Sequence, residues 1–125
     1  MEEQLQEKAV LVGLNITTNV KKIDDIDINE SMAELKELVK AAGAEVLASV
    51  IQNKPARDAA YFIGKGKVEE IRDYCHMLGA TMIVFNDELS GAHMRNIEDV
   101  TGLKVIDRTA LILDIFAQRA LSKEG

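Results

Sequence analysis

Apolar residues along this chain fall into two rhythms that alternate four times. Ala9-Val-Leu-Val-Gly-Leu14 is a short, nearly unbroken apolar run with β-branched members, the composition of a strand covered on both faces. Glu45–Ile51, Thr81–Phe85 and Leu103–Ile106 are three further short apolar runs that read as strands. Between the runs, apolar side chains recur every three or four positions: Met32, Leu35, Leu38, Val39 and Ala42, then Val68, Ile71, Cys75 and Leu78, then Met94, Ile97 and Val100. That spacing lays one apolar stripe on a helix. Ser31-Met-Ala-Glu34 reads as a capping box that starts the first helix. Lys67 opens the second helix, which ends at Leu78, and Ser90 caps the third. Gly43, Gly79 and Gly102 stand where each should close. A fourth helix, capped by Asp107 or Thr109, runs from about residue 108 to about residue 122.

Strict strand–helix alternation predicts an α/β fold: a four-stranded, mainly parallel sheet with helices on both faces, in the sequence βαβαβαβα. The simplest strand order is 2-1-3-4, with strand 4 at the opposite edge as the alternative. The joints are asymmetric. Helix-to-strand joints are one or two residues (Gly43-Ala44, Gly79-Ala80, Gly102), whereas Asn15–Asn29 and Gln52–Gly66 are long polar connections from strand to helix. In a parallel sheet both emerge at the carboxyl edge, where open α/β sheets bind their ligands. Asn86–Leu89 and Asp107-Arg108 join them on that rim.

The fourth helix breaks the amphipathic rule. Ala110, Leu111, Ile112, Leu113, Ile115, Phe116 and Ala117 wrap nearly its whole circumference, interrupted only by Asp114. A helix apolar all round needs cover on more than one side. Residues 1–125 therefore read as one domain whose last helix leads into a further segment, with bare surface expected around Ile112, Ile115 and Phe116.

Charge alters the picture locally. The chain carries 15 basic and 21 acidic residues, a net charge of −6, so any contact with nucleic acid must be a patch rather than a global property. That patch is the stretch leading into the second helix. Lys54, Arg57, Lys65 and Lys67 stand there against Asp58 alone, and Tyr61 and Phe62 lie side by side within it. Cations that neutralise phosphates, with aromatic or arginine platforms for stacking, are the ingredients of an RNA contact. The opposing reading is that the aromatics anchor the loop to the core. Gly64 and Gly66 are expected to free the backbone, with positive φ or close approach by another molecule. The helix N-terminus behind them adds N–H groups and the positive end of a dipole. Arg95 and Arg108 are secondary candidates from the same rim.

Other chemistry is thinner. Gly64-Lys65-Gly66-Lys67 lacks the spacing and the hydroxyl of a triphosphate-cradling loop, and Gly13 stands alone after the first strand. Asp87, Glu88 and Asp107 could hold a hard cation on the rim, but capping roles are the preferred reading and no metal site is assigned. His76 and His93 lack partners at ligand spacing and read as surface residues. The single cysteine, Cys75, sits at a core position and reads as a small hydrophobe. It also excludes an internal disulfide, and the acidic start MEEQLQEK lacks the apolar core of a secretory signal. A soluble, cytoplasmic domain is the expectation.

Three blocks in order, YFIGKGKVEEIRDY, IVFNDELSGAHMRNIE and KVIDRTALILDIFAQRALSKEG, resemble the N-terminal domain of the HflX family of ribosome-associated GTPases. The resemblance runs from Ala9 essentially to the end. It implies a parallel α/β unit followed by a helical linker and a separate GTP-binding domain, in a protein that binds the large ribosomal subunit and helps split or rescue stalled ribosomes under stress. GTP and Mg²⁺ would then belong to that further domain, whose phosphate-binding loop is missing here, and this chain would not be the enzyme itself. ATP binding has also been suggested for such domains. An adenine-nucleotide domain using the Gly64–Lys67 turn is thus the alternative.

Overall fold

A computed structural model describes residues 6–18 and 27–123, with side chains of the last helix through Gln118. Eight elements alternate: β1 (Lys8–Ile16), α1 (Ile28–Ala41), β2 (Glu45–Lys54), α2 (Lys65–Leu78), β3 (Met82–Phe85), α3 (Gly91–Thr101), β4 (Lys104–Asp107) and α4 (Arg108–Lys123). The strands form one sheet in the order β2-β1-β3-β4, and every pairing is parallel. The α/β expectation and the simplest strand order both hold.

Apolar runs that look unbroken in the sequence divide by parity in space. Val10, Val12 and Leu14 of β1, with Ile83 and Phe85 of β3, face a core closed by α2 and α3. Ala9 and Leu11, with Met82 and Val84, face a second core closed by α1 and α4. A strand between two helical layers must be apolar at every position, because successive side chains leave on opposite faces. Gly13 has a packing reason to lack a side chain. A Cβ there would lie 2.6 Å from Met32 Sδ of α1.

Several boundaries differ from the sequence expectation. α1 begins at Ile28, a turn before Ser31, with Asp27 as its N-cap accepting from Asn29 N–H at 3.2 Å. The earlier start lets Ile28 pack on the α1/α4 core. Ser31 is turned inward instead, its Oγ accepting from Asn86 Nδ2 at 2.8 Å. Asp24 and Asp25, which with Asp27 make an acidic run before this helix, lie outside the described residues. β2 continues to Lys54 because Asn53 and Lys54 pair with Asn15 and Ile16 at the end of β1. It is an edge strand with no fully buried residue.

Ser90 does cap α3, and Asp107 caps α4 by accepting from Ala110 N–H at 2.9 Å. On α4, Leu111 and Ile115 are buried. The bare apolar surface is Leu113 (63% exposed) and Phe116 (61% exposed), so Ile115 is not part of it. Among the described residues no helix is long and apolar enough to cross a membrane.

Candidate nucleic-acid interface

Between β2 and α2 the chain builds a small, rigid loop from a few short-range bonds. The Asp58 carboxylate accepts from Ala60 N–H (2.9 Å) and Tyr61 N–H (2.8 Å). Asp58 and Phe62 exchange backbone bonds of 3.0 Å in each direction. Ile63 N–H then bonds Tyr61 O at 2.6 Å, across Phe62 at φ +67°. Left-handed backbone at a bulky aromatic costs on the order of 1–3 kcal/mol and persists only where surroundings over-determine it. Here they do: the Phe62 ring is buried edge-on against Phe85 (6.3 Å) and His93 (5.6 Å).

Sequence reasoning missed the anchors. His93 Nδ1 accepts from Ser90 N–H at 3.3 Å, so its other nitrogen carries the proton, and Nε2 donates to Ala59 O at 3.0 Å. Asn96 Nδ2 donates to Ala60 O at 2.9 Å. Gln52 Oε1 accepts from Gly64 N–H at 2.9 Å. Only His93 had a sequence signal, its place three residues after the capping serine, as in a capping box. His93 is therefore a half-buried loop clamp rather than a surface residue. His76 is exposed, with Nε2 at 3.3 Å from Thr101 O.

The glycines behave differently from expectation. Gly64 is the α2 N-cap at φ −64°, and neither it nor Gly66 has positive φ. A Cβ at Gly64 would stand 3.3 Å from Gln52 Nε2, a tight approach to the end of a flexible side chain, whereas Gly66 faces open space. With Gly64 as cap, Lys65, Gly66 and Lys67 form the first turn of α2, ahead of its first helical bond, Val68 N–H to Gly64 O at 3.0 Å. That end carries no acidic residue, so the N-terminal dipole and the lysines reinforce each other.

The predicted cations separate into groups. Lys54, Arg57 and Lys65 make no ion pair among the described residues and gather where β2 ends and α2 begins. The Nζ of Lys54 lies 3.9 Å from where a Gly64 Cβ would be. Arg57 holds its guanidinium 5.8 Å from the Phe62 ring centroid. Lys67 pairs with Glu70 at 3.4 Å on the flank between α2 and β2, an exposed pair that contributes little. Arg95 is exposed on α3. Arg108 is turned inward: it donates to Asn86 Oδ1 (2.9 Å), Ser31 O (3.3 Å) and Glu34 Oε1 (2.9 Å), tying α1 to the ends of β3 and β4. Tyr61 is half-buried against the core. Phe62 is buried, which leaves Arg57 as the exposed planar group of the loop.

The rim carboxylates also differ among themselves. Both Asp107 oxygens are engaged, by Leu89 N–H and Ala110 N–H at 2.9 Å. Burial pushes the Asp87 carboxyl up from the usual range, against the Leu14 N–H, Arg57 and Arg108, which pull it down. Asp58 is shifted the other way, chiefly by the Tyr61 N–H. Burial raises the Cys75 thiol to about 11, as fits an inert core residue. Among the described residues no group of three or more His, Cys, Asp or Glu converges as a metal site would require.

A sequence family described as GTP-binding GTPase N-terminal matches residues 29–117, which include this entire loop and both helices around it. The chain belongs to that family. Among curated relatives, the GTPase HflX of Caldanaerobacter subterraneus subsp. tengcongensis is 44% identical over 120 residues, 96% of this chain and 26% of that protein. GTPase HflX of Lacrimispora saccharolytica is 45% identical over 98% of this chain and 28% of its own length. The Escherichia coli GTPase HflX is 42% identical over 95% and 26%. The chain thus spans about a quarter of the length of these relatives. Among solved structures, a GTP-binding protein from Sulfolobus solfataricus in complex with GDP superposes with a TM-score of 0.61 at 21% identity. That match covers 90% of this chain and 30% of the other, and it shows the fold. The domain is therefore of the HflX N-terminal type, as the three sequence blocks imply.

Proposed function

We propose that this chain is the non-catalytic domain with which an HflX-type GTPase grips the large ribosomal subunit, through ribosomal RNA. The observation that carries this reading is that Lys54, Arg57 and Lys65, which make no ion pair among the described residues, lie near the N-terminus of α2, whose first turn has no acidic residue, at the carboxyl edge of the sheet. A local positive patch on a chain of net charge −6 is what phosphate recognition requires and general solubility does not. Lys67 and Arg95 extend the patch at its margins, and Arg108 supports it by holding the rim together. In this reading residues 1–125 act as one domain, and α4 leads to a helical linker and a GTP-binding domain that holds GTP and Mg²⁺. The whole protein hydrolyses GTP and helps split or rescue stalled ribosomes in the cytoplasm, notably under stress.

The adenine-nucleotide alternative gains no specific support. The Gly64 N–H at the heart of its turn is already bonded to Gln52. Co-sedimentation of the chain with purified large subunits tests the main reading. Binding at low salt is expected, together with its loss when Lys54, Arg57, Lys65 and Lys67 are all changed to Gln. No binding at low salt, or undiminished binding by a folded quadruple variant, would overturn it.

A further inference from the structure

In this sheet the crossovers from β1 and β3 leave to opposite sides, β1 toward β2 and β3 toward β4. Open α/β sheets hold ligands at that parting. Here it adjoins a cleft of about 460 Å³ lined by Arg57, Phe62, Asp87, Glu88, Leu89 and Ser90. Most of the polar groups around it have structural work: Ser90 caps α3, and Asp107 behind it pins Leu89 and α4. Two do not. Arg57 makes no hydrogen bond or ion pair among the described residues and rests over Phe62. Oδ2 of Asp87 is sealed from water and accepts no hydrogen bond. A buried acceptor without a donor is costly unless something else supplies one.

We propose that this cleft takes one unpaired nucleobase of the RNA bound by the basic rim. The inference rests on the RNA reading of that rim. A nucleobase fits this lining: its face stacks on the Arg57 guanidinium, and N–H groups of its edge donate to the carboxylates of Asp87 and Glu88 that line the cleft. The chemistry also selects among bases. Asp87 and Glu88 are both acceptors when ionised, so the cleft favours edges rich in N–H. Guanine presents an imino and an amino group side by side. Cytosine and adenine present one amino group. Uracil presents a single N–H between two carbonyl oxygens, which the carboxylates repel. The wall beneath Arg57 is fixed, since Phe62 is buried and His93 and Asn96 clamp the loop at the carbonyls of Ala59 and Ala60.

Fluorescence anisotropy of the 125-residue chain with short labelled single-stranded RNAs tests this. The reference is an oligouridylate, and the probe is the same oligomer with one central guanine. The guanine oligomer should bind about tenfold more tightly. Asp87→Asn, nearly isosteric, should erase the preference for the guanine oligomer. Arg57→Gln should weaken both. Equal binding of the two oligomers by the unmodified chain overturns the base pocket while leaving the rim's RNA contact standing. Absence of any RNA binding at low salt overturns both. The comparison on the unmodified chain decides even if a variant fails to fold.

Discussion

Asp58 and Asp87 are two rim aspartates that the fold treats in opposite ways. Asp58 gathers backbone N–H groups and is held below its ordinary value of 3.8. A depressed carboxyl contributes stability that is present above the unfolded value and is lost as pH falls through the native one. Asp87 is raised by burial, so its contribution has the reverse sign: present below 3.8 and lost as pH rises through the native value. Asp58→Asn should therefore flatten the acid limb of the stability curve. Asp87→Asn should raise the melting temperature at neutral pH, a gain that closes as pH falls below 3.8. Thermal melts across a pH series check both, and an Asp87→Asn protein that melts lower at neutral pH would contradict the account. A carboxylate kept where it costs stability fits a residue retained for binding.

At the scale of elements, the strands and the helical faces were legible because each obeys a period that local sequence carries. β1 reads as buried on both sides, and it is. The start of α1 was misread because Ser31 and Glu34 fit the capping pattern, while the real cap, Asp27, lies outside it. The loop from Asp58 to Gly64 was legible only in composition. Its shape depends on Gln52, His93 and Asn96, partners brought in by β2 and α3, and no local pattern announces such bonds. The same limit applies to the cations: Arg108 resembles the others in sequence, yet Ser31, Glu34 and Asn86 bind it from two other elements. The seating of α1 on β1 makes a separate test. Gly13→Ala would place a methyl 2.6 Å from Met32 Sδ. Met32 is flexible but buried, so a loss of about 1–2 kcal/mol is expected in denaturant unfolding. An unchanged midpoint would mean that Met32 repacks without cost.

At the scale of the whole molecule, charge is spread unevenly over an ordinary parallel sheet. On a chain with net charge −6, Lys54, Arg57 and Lys65 form no ion pair among the described residues, and under the proposed function they are the groups that hold RNA. Each phosphate neutralised by such a cation releases counterions, and affinity then falls with salt at a slope of about 0.7–0.9 per contact in logarithmic terms. The deciding measurement is that slope for the large ribosomal subunit, taken with the unmodified chain and with Lys54, Arg57 and Lys65 all changed to Gln. Removing three contacts should flatten the slope by roughly 2–3, with the melting temperature of the variant unchanged. Equal slopes in two folded proteins would contradict the account, because the rim cations would then touch no phosphate in the complex.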